Sequence, residues 1–279
     1  MEKVSVIMPC YNDGAFIEES VASVRGQTYS NTELIIIDDG SDDAHTLKIL
    51  EQFKRDGVTV LHTDHLRPAG ARNAGIRAAT GKYILPLDSD DTIEPAYIEQ
   101  AVAVMEKDET VGVVYCHADL FGKASGPWQF KEYSLENMLV DNVVFVTALF
   151  RRADWQAVGG FRTTMNHGLE DYDFWLSILE LGRQIYQLPG TLFHYRIKSG
   201  SRTSQFMENP QVIKDTYREI YHNHPALYDR YREEYVTALR NELVDQICIN
   251  RTYQKAIGIL QKVKQIPLVR QLLRRWFLK

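Results

Sequence analysis

The chain of 279 residues holds only three cysteines, Cys10, Cys116 and Cys248. They are widely spaced and form no CxxC pair, which excludes a disulfide framework and a zinc-finger pattern and predicts a reducing, cytoplasmic setting. No run of about 18 apolar residues occurs, so no membrane-spanning helix is expected. Residues 1–9, MEKVSVIMP, are too short in their apolar part for a secretory leader, and secretion is not expected either. Glycine-rich phosphate loops are missing: there is no GxxxxGK[ST], and no GxGxxG follows the first strand-like segment. Acidic residues are missing from 251–279, where eight Lys or Arg occur, although the whole chain carries a net charge of -5. The first 250 residues are therefore strongly acidic, which argues against a nucleic-acid binder.

What is present is an ordinary globular composition, 44% hydrophobic and 25% charged, with room for one large domain and an appendage. Strand-like segments at 4–8, 33–38, 58–63 and 83–88 alternate with helix-like segments at 15–26, 46–56, 70–79 and 95–107. This alternation predicts an α/β fold with βαβ units, right-handed crossovers and a mostly parallel, Rossmann-like sheet flanked by helices. Further on, 111–119 and 144–150 read as strands, 152–158 as a short helix, Gly159-Gly160 as a turn and 171–181 as an amphipathic helix. Two more strands, 184–188 and 191–196, are expected around Pro189-Gly190, and from Pro210 the pattern is helical to the end. Two regions follow: a catalytic domain over 1–205 and a helical C-terminal region over 206–279.

The most informative run is 83–91, an apolar strand-like stretch that ends in Asp88, Asp90 and Asp91. Three carboxylates within four residues repel one another unless a cation neutralises them, and hard ions such as Mg²⁺ or Mn²⁺ prefer such oxygens. Helix capping does not explain the cluster, because Pro95 suits the first helical position and makes Glu94 the expected N-cap. In open α/β sheets ligands bind beyond the carboxyl ends of the strands. All four strand ends carry polar groups: Pro9 to Asp13, Asp38 to Asp43, Asp64 to Arg72 and Asp88 to Asp91. A dinucleotide-binding site would also use an acid such as Asp38 or Asp39, but Tyr11 stands where its glycines would be. An aromatic beside Asp39 suits stacking and hydrogen bonding to a nucleobase.

The segments 4–12, 35–43, 70–75, Asp88-Ser89-Asp90-Asp91 and Glu170-Asp171 resemble, in order, the signatures of family 2 glycosyltransferases of the GT-A fold, over about residues 3–200. The resemblance implies that Pro9, Tyr11 and Asp39 line the base pocket of a nucleotide diphosphate sugar, with Asp39 accepting from uracil N3–H. It implies Arg72 near the nucleotide, Asp88 on the ribose or sugar, and Asp90 on a divalent cation, Mn²⁺ or Mg²⁺. Asp171 would be the base that deprotonates the acceptor hydroxyl, giving inversion at the anomeric carbon. His194 and Arg196 fall where such enzymes carry groups that close over the diphosphate. Here they stand as a candidate metal ligand and a candidate donor ligand, although Phe193-His194-Tyr195-Arg196 departs from the family's commoner Tyr-Arg-x-His order. Phe174 and Trp175 are expected in the core.

The expected activity is that of an inverting, metal-dependent hexosyltransferase using a nucleotide-sugar donor, a UDP-sugar by preference. The acceptor would be a hydroxyl of a glycan or lipid-linked glycan in cell-surface polysaccharide assembly. Residues 256–279 form a basic amphipathic stretch ending in Trp276-Phe277, which suits peripheral contact with the inner face of a membrane. A helix packed on the catalytic domain, or a homodimer contact, suits it equally. Rival readings are a sugar nucleotidyltransferase, which wants a basic glycine-rich loop after strand one, and a non-catalytic nucleotide-sugar sensor or partner subunit.

Overall fold

The computed structural model describes residues 1–198 and 206–264, with side chains through residue 257. Strand β1 (Val4–Cys10) is buried along almost its whole length, as a strand covered on both faces must be. It pairs in parallel with β2 (Thr32–Asp38) on one side and β4 (Tyr83–Pro86) on the other, and β2 pairs in parallel with β3 (Thr59–His62). Helices α1 (Ile17–Arg25), α2 (Ala44–Arg55) and α3 (Arg67–Ala78) make the crossovers. The four strands therefore run one way and end at one edge. Helix α3 lies close against this ladder because Gly75 has no side chain. A Cβ there would sit 2.6 Å from Ile37 Cδ1 and 2.7 Å from Ile7 Cγ2.

Beyond β4 the sheet is mixed. Strand β8 (Leu149–Arg151) is antiparallel to both β4 and β6 (Val111–Gly122). Strand β9 (Gln184–Ile197) is parallel to β6, and the two-residue β5 (Thr92–Ile93) is antiparallel to β9. The order is β3-β2-β1-β4-β8-β6-β9-β5, with β7 (Gly126–Pro127) paired to β6. Thus β9 crosses the sheet to reach the segment just after the aspartate cluster. Helices α4 (Tyr97–Lys107), α5 (Leu135–Val140), α6 (Arg152–Val158) and α7 (Glu170–Glu180) complete the layers, and Phe174 and Trp175 are fully buried as expected.

Several elements differ from the reading of the sequence. The expected strand over 144–150 pairs only at Leu149–Arg151, because side chains take the earlier carbonyls. Trp175 Nε1 donates to Val144 O, and Tyr97 Oη donates to Thr147 O. The two strands expected around Pro189-Gly190 are one, β9, whose ladder with β6 absorbs the dipeptide through register shifts between Tyr115 and Ala118. Helix α4 begins at Tyr97 with Ala96 as N-cap. Glu94 does not cap it, since its carboxylate meets His194. Helix α5 lay in a stretch given no element, yet Ser134 caps it by accepting from Asn137 N.

The chain divides into a compact unit, Met1–Arg230, and a second unit, Tyr231–Lys279. In the first, α8 (Pro210–Asn223) starts at Asn209, whose side chain accepts from Gln211 N and Val212 N, with proline at the first helical position. The short α9 (Pro225–Arg230) buries Leu227 and Tyr228. The described part of the second unit is α10 (Arg232–Lys264). Val236, Leu243, Val244, Ile247, Tyr253 and Ile257 are exposed on it. The basic stretch from 265 onward lies outside the described residues.

Candidate active site

The shared edge of β1, β2 and β4 collects the polar groups. At the end of β1, Pro9 is half-buried and Tyr11 is 46% exposed, its ring 4.6 Å from that of His65. Asn12 adopts φ 56 and uses its side chain to bind the neighbouring loop, accepting from Asp42 N and Asp43 N. This pins the loop after β2 beside Tyr11. Asp39 is buried and accepts from Thr63 Oγ1 at 2.7 Å and Leu66 N at 2.6 Å, both on Oδ1. Asp38 accepts from Ser41 N and so shapes the turn. Cys10 is no nucleophile: burial pushes its thiol up to about 12.

Arg72 projects from α3 and is 3% exposed. Its Nη2 donates to Asp88 Oδ1 at 2.7 Å and its Nη1 to Glu170 Oε1 at 2.8 Å. Two charge-assisted bonds on one buried guanidinium therefore join the loop after β4 to the first turn of α7. Asp88 keeps about a third of its side chain accessible, 33%, whereas Glu170 is almost closed off at 7%. Asp88 can still meet a ligand; Glu170 serves Arg72.

The three aspartates after β4 have separate tasks. Asp91 is 1% exposed and accepts from Arg196 N at 2.8 Å, tying β9 to the cluster. Burial, with Asp90 and Asp88 alongside, pushes its carboxyl well above the usual range. Asp90 Oδ2 lies 2.8 Å from Lys198 Nζ, which also lies 2.6 Å from Asp13 Oδ1. Burial raises the Asp90 carboxyl, the Lys198 charge opposes that, and Asp88 and Asp13 add to it. Arg196 Nε donates to the backbone oxygen of Asp90, its head pairs with Glu19, and it lies over the rings of Phe121 and Phe16 at 4.1 and 4.9 Å. His194 Nε2 is 2.7 Å from Glu94 Oε1.

Among the described residues, no group of three or more His, Cys, Asp or Glu side chains surrounds a common metal position. The donor chemistry nevertheless fits a hard divalent ion. Asp13 and Asp90 already share a cation, and Mg²⁺-type sites use one or two carboxylates and leave the rest to phosphate oxygens and water.

Asp171 stands in the first turn of α7, behind Leu169 at φ 61 and between Glu170 and Asp173. Acids suit this position because they oppose the helix dipole. Burial raises the Asp171 carboxyl, the adjacent Glu170 charge adds to the rise, and Arg72 offsets part of it, leaving it at about 6. Two residues on, Asp173 is fully buried and holds Asn223 Nδ2 at 2.7 Å, Arg162 Nη1 at 3.1 Å and His224 Nε2 at 3.2 Å. It fastens the end of α8 to the helix that presents Asp171. Neither this anchor nor the Asp13–Lys198 contact was foreseen. Asp13 was visible as a polar residue after β1, but its partner is 185 positions away.

With this geometry in view, the fold and motif set are those of a glycosyltransferase. The profile described as glycosyl transferase family 2 matches residues 5–163, and the chain belongs to that family. It is 32% identical to EpsE, a glycosyltransferase by name from Bacillus subtilis (strain 168), over 204 residues, 70% of this chain and 73% of that protein. It is 33% identical over 180 residues to the Escherichia coli UDP-Glc:alpha-D-GlcNAc-diphosphoundecaprenol beta-1,3-glucosyltransferase WfgD, covering 63% of this chain and 70% of that one. The chain spans about a fifth of a Pasteurella multocida chondroitin synthase, 21% of its length, at 29% identity over 72% of this chain. Among solved structures it superposes on S. aureus TarS 1-349 in complex with UDP with a TM-score of 0.63 at 24% identity, over 79% of this chain and 65% of that one. The mannosyltransferase PcManGT from Pyrobaculum calidifontis, in complex with GDP-Man and Mn2+, gives 0.60 at 19%, over 97% and 83%. At these identities the structures support the GT-A fold itself.

Proposed function

We propose that this enzyme moves a sugar from a UDP-sugar to a hydroxyl of a glycan or lipid-linked glycan, with inversion, at the inner face of a membrane. The observation that carries the reading is the Arg72 bridge. It couples Asp88, on the donor side, to Glu170, next to a carboxyl held at about 6. Pro9 and Tyr11 bound the nucleobase, and Asp39, with both of its protein bonds on Oδ1, offers Oδ2 to the base's N–H. Asp88 orients the ribose or sugar. Asp90, with Asp13, would hold Mn²⁺ or Mg²⁺, which supplies Lewis-acid stabilisation to a departing diphosphate. Asp171 takes the proton of the acceptor hydroxyl, which attacks the anomeric carbon from the face opposite the diphosphate. A single base without a second carboxylate nucleophile gives inversion. The choice of UDP draws support from the relative whose name specifies UDP-Glc and from the fold neighbour solved with UDP. The name of the former also supports a lipid-linked acceptor.

The test is calorimetric titration of UDP, GDP and CDP with and without Mn²⁺ into the wild type and Asp90→Asn. UDP should bind in the presence of Mn²⁺ and lose at least about tenfold in affinity in the variant, the scale of a lost charge-assisted contact. Equal binding of all three nucleotides, or indifference to Mn²⁺, would overturn the donor assignment.

A further inference from the structure

Lys198 occupies a position that the transfer reaction has use for. Its ammonium lies 2.6 Å from Asp13 Oδ1 and 2.8 Å from Asp90 Oδ2, half-buried, with the Phe16 ring 5.5 Å away. Asp13 is itself oriented by Ser89 Oγ, which donates to its other oxygen at 2.9 Å. Carboxylates from the ends of β1 and β4 thus converge on a cation that the chain supplies from the end of β9. Arg196, two residues earlier on the same strand, differs in kind. It binds the backbone oxygen of Asp90 and sends its charge to Glu19, so it can stay in place while the Asp90 carboxylate changes partner.

We propose that Lys198 is a built-in counter-cation: it competes with a divalent metal for Asp13 and Asp90, and passes to the donor's diphosphate when metal and nucleotide bind together. This rests on the reading of the rim as a donor site. A divalent ion entering between the two carboxylates meets the ammonium at contact range, where like charges repel strongly in a partly buried setting. Metal alone must therefore displace Lys198 into solvent. A diphosphate arriving with the metal gives the displaced ammonium a new anionic partner at the same rim. Metal and nucleotide then assist each other's binding, and the assistance is reciprocal. A lysine that served only as a strut would produce no such coupling.

The experiment is calorimetry on the full chain, with Mn²⁺ alone and with UDP at saturating Mn²⁺, for the wild type and Lys198→Gln. The two ligands should respond with opposite sign. Mn²⁺ alone binds at least about fivefold more tightly in the variant, while UDP with Mn²⁺ binds at least about fivefold more weakly, the low end of ordinary coupling. Unchanged or weaker binding of Mn²⁺ alone overturns the proposal. A second measurement needs no variant: amine-reactive labelling of Lys198 in the wild type, read by mass spectrometry. Labelling should rise when Mn²⁺ binds alone and fall when UDP is added; a rate indifferent to bound Mn²⁺ overturns the proposal as well. If the wild type binds no UDP with Mn²⁺, the donor site falls together with this role. If it binds UDP normally but the opposite signs are missing, only the role of Lys198 falls.

Discussion

Asp171, the proposed base, has its carboxyl raised by its surroundings. Burial and the adjacent Glu170 raise its carboxyl, Arg72 limits the rise, and the balance stands at about 6. Such a group is ionised at neutral pH yet basic enough to accept a proton from an acceptor hydroxyl in the transition state. Below about pH 6 it becomes protonated and can no longer accept. The acid limb of the kcat/KM profile should therefore bend near 6, and Asp171→Asn should lower kcat by about 10²–10⁴-fold with UDP affinity unchanged. Pre-steady-state rates and calorimetry check both; an acid limb near 4, the range of an ordinary carboxylate, would show a different base. Asp171, Asp88 and Asp90, the groups proposed for base and donor, each sit in a short motif that the chain itself displays. Their partners were not legible there. Arg72 and Glu170 are 98 positions apart, and nothing in local spacing says that one guanidinium will hold both Asp88 and Glu170.

Helix α7 shows how an element is held to its task. Asp171 stands in its first turn, and Asp173, two residues on, takes Arg162, Asn223 and His224 at a fully buried carboxylate. The end of helix α8 thereby braces α7. Asp173→Asn removes the charge that Arg162, Asn223 and His224 share, and should destabilise the protein by about 2 kcal/mol, the scale of hydrogen bonds to a charged group. Urea denaturation reads that loss, and kcat should fall with it because Asp171 shares the helix. A midpoint unchanged in urea would show that the anchor carries no stability. The parallel half of the sheet was readable from hydrophobic runs and their spacing. The mixed half was not, because β8 and β5 are three and two residues long and too short to show a period. β8 pairs only because β4 and β6 flank it, and β5 only because β9 arrives from a distant part of the chain.

Across the molecule, the groups proposed for donor and base all belong to the unit Met1–Arg230, and the exposed apolar side chains of α10 belong to the second unit. No described helix is long and apolar enough to cross a membrane. In the proposed function the stretch 256–279 would make peripheral contact with anionic lipid, since basic residues and a terminal Trp-Phe favour an interface. Removing 256–279 should shift the protein out of the vesicle fraction in flotation with anionic liposomes, and leave UDP binding intact. Equal flotation of the two chains would assign the stretch to another contact.

The chain by itself settled the family, the parallel βαβ half and the aspartate motifs, since each is written in contiguous residues whose periodicity or charge is a local property. Folding alone brought Arg72 between Asp88 and Glu170, Lys198 between Asp13 and Asp90, and His194 to Glu94 rather than to the aspartates. These pairings join groups far apart in sequence, and their strength comes from burial and convergence, which exist only once the sheet has assembled.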